Sequence, residues 1–476
     1  MTKELKINLS NQWKSLGDSF YSNGIISSFK KAELLYWNDD LGKELGLDAL
    51  SKEQRLKYFS GQELLPGSEP VASVYSGHQF GHYNPRLGDG RAVLLGELMG
   101  EDRKSYDLQL KGSGPTEYSR GGDGYSSLGP VLREYLLSEY MHKIGIPTTR
   151  SLAAVRTNEN VYRQNGPEMG GIFTRLASSH IRIGSFQYFA AQNDLVSLEK
   201  LLNHSIARHY PSISLDKDLE ERCLEFFSHV VEAQASLIAK WMSAGFIHGV
   251  MNTDNMSIAG ITIDYGPCAF MDHFQSGQKY SSIDRNGRYA FNNQSKIAIW
   301  NLARLAECLM ALLDQQSPSI FKSFEKTLSK FLENFEEKYY DTMFEKLKLT
   351  KKSSLRELVD EFLTYLEKNN LDYTNSFNNT SDQIEAEQFF GKDFSPLYEK
   401  LNNNQSNEVV NIMNPIVIPR NHLMEQALEK VLIENDLSFY DELLVTCQSP
   451  FTKPVNETYT SAPKKDQVVK ATFCGT

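Results

Sequence analysis

A change of hydrophobic period near residue 190 limits the fold of this 476-residue chain more than any other feature. Ahead of it, apolar runs are short and broken by glycine. AVLLGEL follows Leu87-Gly88-Asp89-Gly90-Arg91, and SYDLQLK follows the polar turn GEDRK. Two such runs across a short charged turn predict an antiparallel hairpin. Residues 112–127 are glycine-rich and read as loop. Residues 128–144 place Leu128, Val131, Leu132, Tyr135 and Leu136 on one helical stripe, which ends at Gly145 and Pro147. Strand-like runs return at 151–156 and 171–176. Beyond the change, segments 217–244, 296–313, 319–347 and 353–368 carry the 3.6-residue period, with Ala298, Leu302, Leu305, Leu309 and Leu312 forming one face. A β-rich first half and an α-helical second half predict a two-lobed α+β protein. The Asn/Ser/Asp tracts of 369–410 read as loop or partial disorder, and 440–476 as a poorly structured tail.

The length exceeds what one core supports, so more than one lobe is expected. A hydrophobic content of 40% permits a sizeable core, and a net charge of −10 argues against nucleic acid as a partner. No apolar run is long enough to span a bilayer, and the N-terminus MTKELKINLSNQW lacks the apolar region of a leader. The cysteines at 223, 268, 308, 447 and 474 form no CxxC pair and no zinc spacing, which fits a reducing cytoplasm. A monomer is expected. Cys474, three residues from the end, reads as a frayed bystander or a reactive thiol.

The densest chemistry lies at 248–266, HGVMNTDNMSIAGITIDYG. Asp254 and Asn255 are adjacent, and Asp264 follows nine residues later in Ile-Asp-Tyr-Gly. Hard divalent cations take oxygen ligands, commonly one or two carboxylates plus substrate phosphates. An Asn and an Asp on neighbouring loop ends fit a nucleotide–metal clamp; two solvated turns with Asx hydrogen bonds are the alternative.

Upstream, Gly88-Asp89-Gly90 lets backbone amides approach phosphate oxygens, though a plain turn has the same signature. Lys111 ends the second hairpin strand. Glu134 and Glu139 on the following helix could each reach back to it, but they lie about 140° apart around the axis. Glu134 flanks the Val131/Tyr135 stripe and is preferred. A glycine loop, a strand ending in Lys and a helix bearing Glu resemble the nucleotide cradle of protein kinases. Kinases place Asn seven residues after the His of H-R-D-L-x-x-x-N, with D-F-G further on. Here His248, Asn255 and Asp264-Tyr265-Gly266 keep that order, but Val250 stands where the catalytic Asp belongs. Val cannot take a proton from an attacking hydroxyl. Asp254 can, from a shifted position, so the chain is either a dead kinase or one running different chemistry. Arg175 and Arg182, with Asp123-Gly124 in the flexible loop, fit a triphosphate held by its outer phosphates with the α-phosphate near Asp254; scattered surface arginines are the alternative.

Gly77-His78-Gln79-Phe80-Gly81, Leu87-Gly88-Asp89-Gly90-Arg91, Leu110-Lys111-Gly112-Ser113-Gly114, Arg120-Gly121-Gly122-Asp123-Gly124, Gly145-Ile146-Pro147-Thr148-Thr149-Arg150 and Asn252-Thr253-Asp254-Asn255-Met256 resemble blocks of the selenoprotein O family, known in bacteria as YdiU. The resemblance runs from about residue 10 to the C-terminal Cys-Gly-Thr. It implies a protein-kinase-like fold divided into an N-terminal extension (1–80), a β-rich N-lobe (81–187), a helical C-lobe (188–439) and a C-terminal tail (440–476). It implies ATP bound in a flipped orientation and AMP transferred to Ser, Thr or Tyr hydroxyls of proteins, with Mg²⁺ or Mn²⁺. Gly88, Gly90, Arg91, Lys111, Asp123, Gly124, Arg175, Arg182 and Asp264 would contact nucleotide, and Lys111 would pair with Glu134. Asp254 would accept the proton, while Asn255 and Asp264 would hold the metal. The family's terminal Cys or selenocysteine suggests a disulfide between Cys474 and Cys268. UMP transfer from UTP, phosphoryl transfer and a non-catalytic nucleotide-binding scaffold remain the alternatives.

Overall fold

The computed structural model describes residues 7–164, 166–313, 317–406 and 414–473. The hairpin forms from Ala92–Met99 and Ser105–Lys111, pairing from Ala92 opposite Lys111 to Met99 opposite Ser105 with a bulge between Leu94 and Gly96. Seven consecutive residues of the first strand are buried, as in a strand covered on both faces. It sits inside a nine-stranded antiparallel sheet ordered Tyr21–Asn23, Val71–Ser73, Ala92–Met99, Ser105–Lys111, Gly166–Ala177, Arg150–Arg163, Glu33–Trp37. Leu9–Ser10 adds to the Ala92–Met99 strand, and Ser126–Ser127 to Gly166–Ala177. The first 80 residues therefore supply four strands of this sheet.

Side-chain alternation sends the two sheet faces into different cores. Leu95, Leu108, Leu110, Val155, Ile172 and Leu176 pack with Leu41, Leu47 and Phe59 from the N-terminal helices. On the opposite face, Leu94, Ala154 and Phe173 join a larger core that runs through the Leu128–Lys143 helix into the helical half. Each fully buried Leu contributes about 1.5–3 kcal/mol, so neither face can be exposed. The Leu128–Lys143 helix is more enclosed than a one-stripe pattern implies. The Asn421–Glu429 and Ser438–Cys447 helices also pack against it, and Tyr440 Oη donates to Leu132 O at 2.7 Å.

The helical half is built on Leu219–Ser243, against which Pro318–Lys346 and Gln294–Met310 pack. No helix among the described residues is long and apolar enough to cross a membrane. Two sequence expectations are corrected. Most of 369–406 is ordered as the helices Tyr373–Asn378, Gln383–Phe390 and Ser395–Asn403. Their Asp residues act as N-caps: Asp372 accepts from Asn375 N, and Asp382 from Ile384 N and Glu385 N. The tail begins as the Ser438–Cys447 helix, because Tyr440 and Leu443 are fully buried there. Past it the chain runs irregularly to Thr472, which bridges to Ser281.

Candidate active site

One cavity of about 680 Å³ opens between the sheet and the loops that follow the Leu219–Ser243 helix. Lys111 enters it from the end of its strand, where the backbone pairs with both Ala92 and Phe173 and fixes its direction. Its Nζ lies 2.5 Å from Glu134 Oε2 and 3.2 Å from Asp264 Oδ1. Arg175, on the neighbouring strand and 1% exposed, donates through Nη1 to Asp264 Oδ1 at 2.7 Å and to Glu134 Oε1 at 3.2 Å. Gln109 Oε1 accepts from Arg175 Nε at 2.8 Å and sets its rotation.

Arg182 precedes the Ile183–Ala191 helix and ties two loops together. Its Nη1 donates to Asp264 Oδ2 at 2.7 Å and to the Asp254 carbonyl at 2.6 Å. Its guanidinium lies over the Tyr75 ring at 4.7 Å, with Asp89 Oδ1 at 3.8 Å. Three cations thus converge on Glu134 and Asp264. Burial disfavours the Asp264 carboxylate, but Arg175, Arg182 and Lys111 together hold its pKa well below the usual range. Asp264 is held at φ +60°, an uncommon conformation for a residue with a Cβ. Such strain persists only where surrounding contacts over-determine it.

Asp254 sits in the short Thr253–Asn255 turn and differs from the other cleft acids. Asp89, Asp123, Glu134 and Asp264 each have an Arg or Lys partner. The Asp254 side chain makes no ion pair among the described residues: Oδ2 accepts from Gln79 Nε2 at 3.3 Å, and Oδ1 is buried without a hydrogen-bond partner. Burial pushes its pKa up to about 6, against the pull of Arg182. Val250 lines the same cavity and is apolar and buried. His248 is scaffold: its ring bonds Ile263 O at 2.9 Å, and burial lowers its pKa so that it stays neutral.

Among the described residues no cluster of three or more His, Cys, Asp or Glu side chains could hold a metal. The cleft does offer oxygens of the kind a hard cation takes together with phosphates. Asn255 Nδ2 donates to Val250 O at 3.1 Å, which leaves Oδ1 as its ligating atom. Asp264 lines the same cavity. This donor set fits Mg²⁺ or Mn²⁺.

Gly88 and Gly90 pass under Tyr118. A Cβ on Gly88, at φ +64°, would stand 2.2 Å from its ring, and one on Gly90 would stand 2.8 Å from its carbonyl oxygen. Arg91 and Gly124 line the cavity nearby. Asp123 is at the rim, where Arg163 Nη1 donates to it at 2.8 Å.

The profile of the protein adenylyltransferase SelO family matches residues 3–448. This chain belongs to that family. The protein nucleotidyltransferase YdiU of Clostridium perfringens is 45% identical over 484 residues, covering 98% of each chain. The proteins of the same name from Bacillus cereus and Bacillus thuringiensis are 43% identical over 493 residues and cover both chains completely. The chain is accordingly a nucleotidyltransferase.

In this SelO-family cleft several contributors have roles that the sequence does not assign to them. Gln79, Gln109, Tyr75 and Asp89 support charged residues from far away in the chain, and Arg163 pairs with Asp123 across 40 residues. Gln79 was visible only as part of the Gly-His-Gln-Phe-Gly block. Glu139, the acid set aside in favour of Glu134, lies elsewhere. It accepts from Arg150 Nε at 2.9 Å, Arg150 Nη2 at 3.0 Å and Ser151 N at 2.8 Å, and so anchors the start of a strand. Cys268 is buried just past the Asp264 loop, with its carbonyl accepting from Arg133 Nη2 at 2.6 Å. Cys474 lies outside the described residues.

Proposed function

We propose that this SelO-family chain transfers AMP from ATP to Ser, Thr or Tyr hydroxyls of proteins and releases diphosphate. The observation that carries this reading is Asp254: among the described residues, the cleft acid without an ion pair, beside an apolar Val250. A carboxylate already matched by a cation is a poor proton acceptor, whereas one raised toward neutrality suits general base work. Asp254 takes the proton of the acceptor hydroxyl as its oxygen bonds the α-phosphorus. The bond from that phosphorus to the departing diphosphate breaks.

Lys111, Arg175 and Arg182 line the cleft as the cationic bed for the triphosphate, with Arg91, Gly88, Gly90, Asp123 and Gly124 completing the nucleotide site. Fixed charges of this kind stabilise the transition state without reorganisation. Asn255 and Asp264 would hold Mg²⁺ or Mn²⁺, which neutralises phosphate charge when bound. The ATP orientation is flipped relative to a kinase, placing the α-phosphate rather than the γ-phosphate by Asp254. The strand Lys111, the helix Glu134 and the Asp264-Tyr265-Gly266 loop support a protein-kinase-like, two-lobed organisation for the α+β fold.

The reading includes a monomer in a reducing cytoplasm, where burial keeps the Cys223, Cys308 and Cys447 thiols protonated. It also includes oxidation-dependent pairing of Cys268 with Cys474. In support, Thr472 Oγ1 donates to Pro267 O at 2.6 Å, which brings the tail beside Cys268. Product analysis tests the reaction: diphosphate should accumulate with ATP and protein acceptor, and Asp254→Ala should slow it by at least about 100-fold to a measurable residual rate. ADP as the stoichiometric product would overturn the reading.

A further inference from the structure

The Gly77–Gln79 and His82–Asn84 strands form a small hairpin apart from the main sheet, and it grips the loop that carries Asp254. Three consecutive hairpin residues hold three consecutive loop residues. His78 N donates to Thr253 Oγ1 at 2.7 Å, Gln79 Nε2 to Asp254 Oδ2 at 3.3 Å, and Phe80 N to Asn252 Oδ1 at 3.1 Å. The fit is close: a Cβ on Gly77 would lie 2.9 Å from Asp254 Oδ1. The hairpin turn has positive φ at both central residues, +51° at Phe80 and +87° at Gly81. Gly adopts this type I′ geometry freely, but Phe does so against steric resistance. The Phe80 amide is held there by Asn252 and by Tyr289 Oη at 3.1 Å. Strain that catalytic-loop contacts keep in place links the shape of the hairpin to that of the loop.

Within this grip the Gln79 contact is distinct. The other two reach Thr253 Oγ1 and Asn252 Oδ1, while Gln79 alone touches the carboxylate. Oδ1 has no hydrogen-bond partner among the described residues, and there the Gln79 amide is the side-chain hydrogen bond that fixes the rotation of the carboxyl plane. A neutral donor does this without the cation that would quench a base. Gln79 also lines the cavity, so its effect is exerted where the acceptor hydroxyl must arrive.

We propose that Gln79 is a positioning residue for nucleotidyl transfer, whose Nε2–H orients the Asp254 carboxylate toward the acceptor hydroxyl. This rests on Asp254 being the proton acceptor. Misplacing a reacting group by about 1 Å can cost on the order of 100-fold in rate. Gln79→Leu and Gln79→Met, the latter keeping side-chain length while removing the donor, should therefore lower kcat by about 10- to 100-fold. The KM for ATP should stay within about two-fold, because the proposed phosphate cations are untouched. Gln79→Leu placed on Asp254→Ala should cause no further loss, since a residue acting through Asp254 has nothing left to orient.

Wild-type kcat in both Gln79 variants, a loss confined to KM, or additive losses in the double variant would overturn the proposal. If Asp254→Ala itself retains full activity, the underlying assignment of the base fails instead. An inactive Asp254→Ala with fully active Gln79 variants overturns only the role given to Gln79. Matching thermal unfolding midpoints across the set exclude a folding defect as the source of lost rate.

Discussion

Lys346, at the end of the Pro318–Lys346 helix, is a buried ammonium with no ion pair among the described residues. It is 7% exposed, and burial pushes its pKa from 10.5 down to about 7. A drop of that size corresponds to ~4 kcal/mol disfavouring the folded, protonated state. Against this stand a hydrogen bond from Nζ to Ser243 O at 2.8 Å and the Phe377 ring at 4.1 Å. Together these return about 2 kcal/mol. Lys346→Met keeps the length and removes the charge, and Ser243 O retains its second donor, Tyr373 Oη at 3.0 Å. The variant should therefore be more stable than the parent by about 2 kcal/mol at pH 7. The sign with pH follows from proton counts. Between pH 7 and about 10.5 the unfolded lysine keeps a proton that the folded one has lost, so parental stability rises with pH through that window. The Met variant lacks this rise, and its advantage should disappear near pH 9. Urea unfolding midpoints of both proteins at pH 7 and pH 9.5 measure the difference. A Met variant less stable than the parent at pH 7, or an equal gain at both pH values, would refute the argument.

Three further outcomes follow from the same geometry. Asp254→Asn should lower nucleotide incorporation by at least about 100-fold while ATP affinity, measured by equilibrium dialysis, stays near the parental value. Arg420→Met leaves Asp272 and Asp372, which Arg420 Nη1 bridges at 2.8 and 2.7 Å, facing each other in the interior. It should destabilise the chain by about 3–5 kcal/mol in chemical denaturation. A chelator should stop transfer and Mg²⁺ or Mn²⁺ restore it, with Asn255→Ala raising the metal concentration for half-maximal rate about 10-fold. Full activity in chelator would rule out the metal.

The parts of the fold legible in the sequence were those written in local period. The Ala92–Met99 and Ser105–Lys111 hairpin alternates or runs apolar, and the long helices repeat every 3.6 residues. Strands of two to five residues from the first 80 positions could not be read, because their partners lie far along the chain and no period develops over so short a run. Residues 369–406 misled for a different reason. Asn, Ser and Asp mark loops and also cap helices, and three helices of six to nine residues bury Phe377, Phe390 and Leu397 through contacts the local sequence does not show. At the cleft, charged residues announced themselves by type and spacing. Gln79 did not, since its meaning comes from a contact with a residue 175 positions away.

Adenylyl transfer requires the acceptor hydroxyl to attack the α-phosphorus rather than the γ-phosphorus. Parallel incubations of the chain and a protein acceptor with α-labelled ATP, γ-labelled ATP and α-labelled UTP, followed by acid precipitation, measure this directly. Protein should retain label from α-labelled ATP, retain none from γ-labelled ATP, and lose nearly all of the α-label when Asp254 is replaced by Ala. Retention of γ-label would contradict nucleotidyl transfer, and retention from α-labelled UTP in preference to ATP would contradict the choice of AMP.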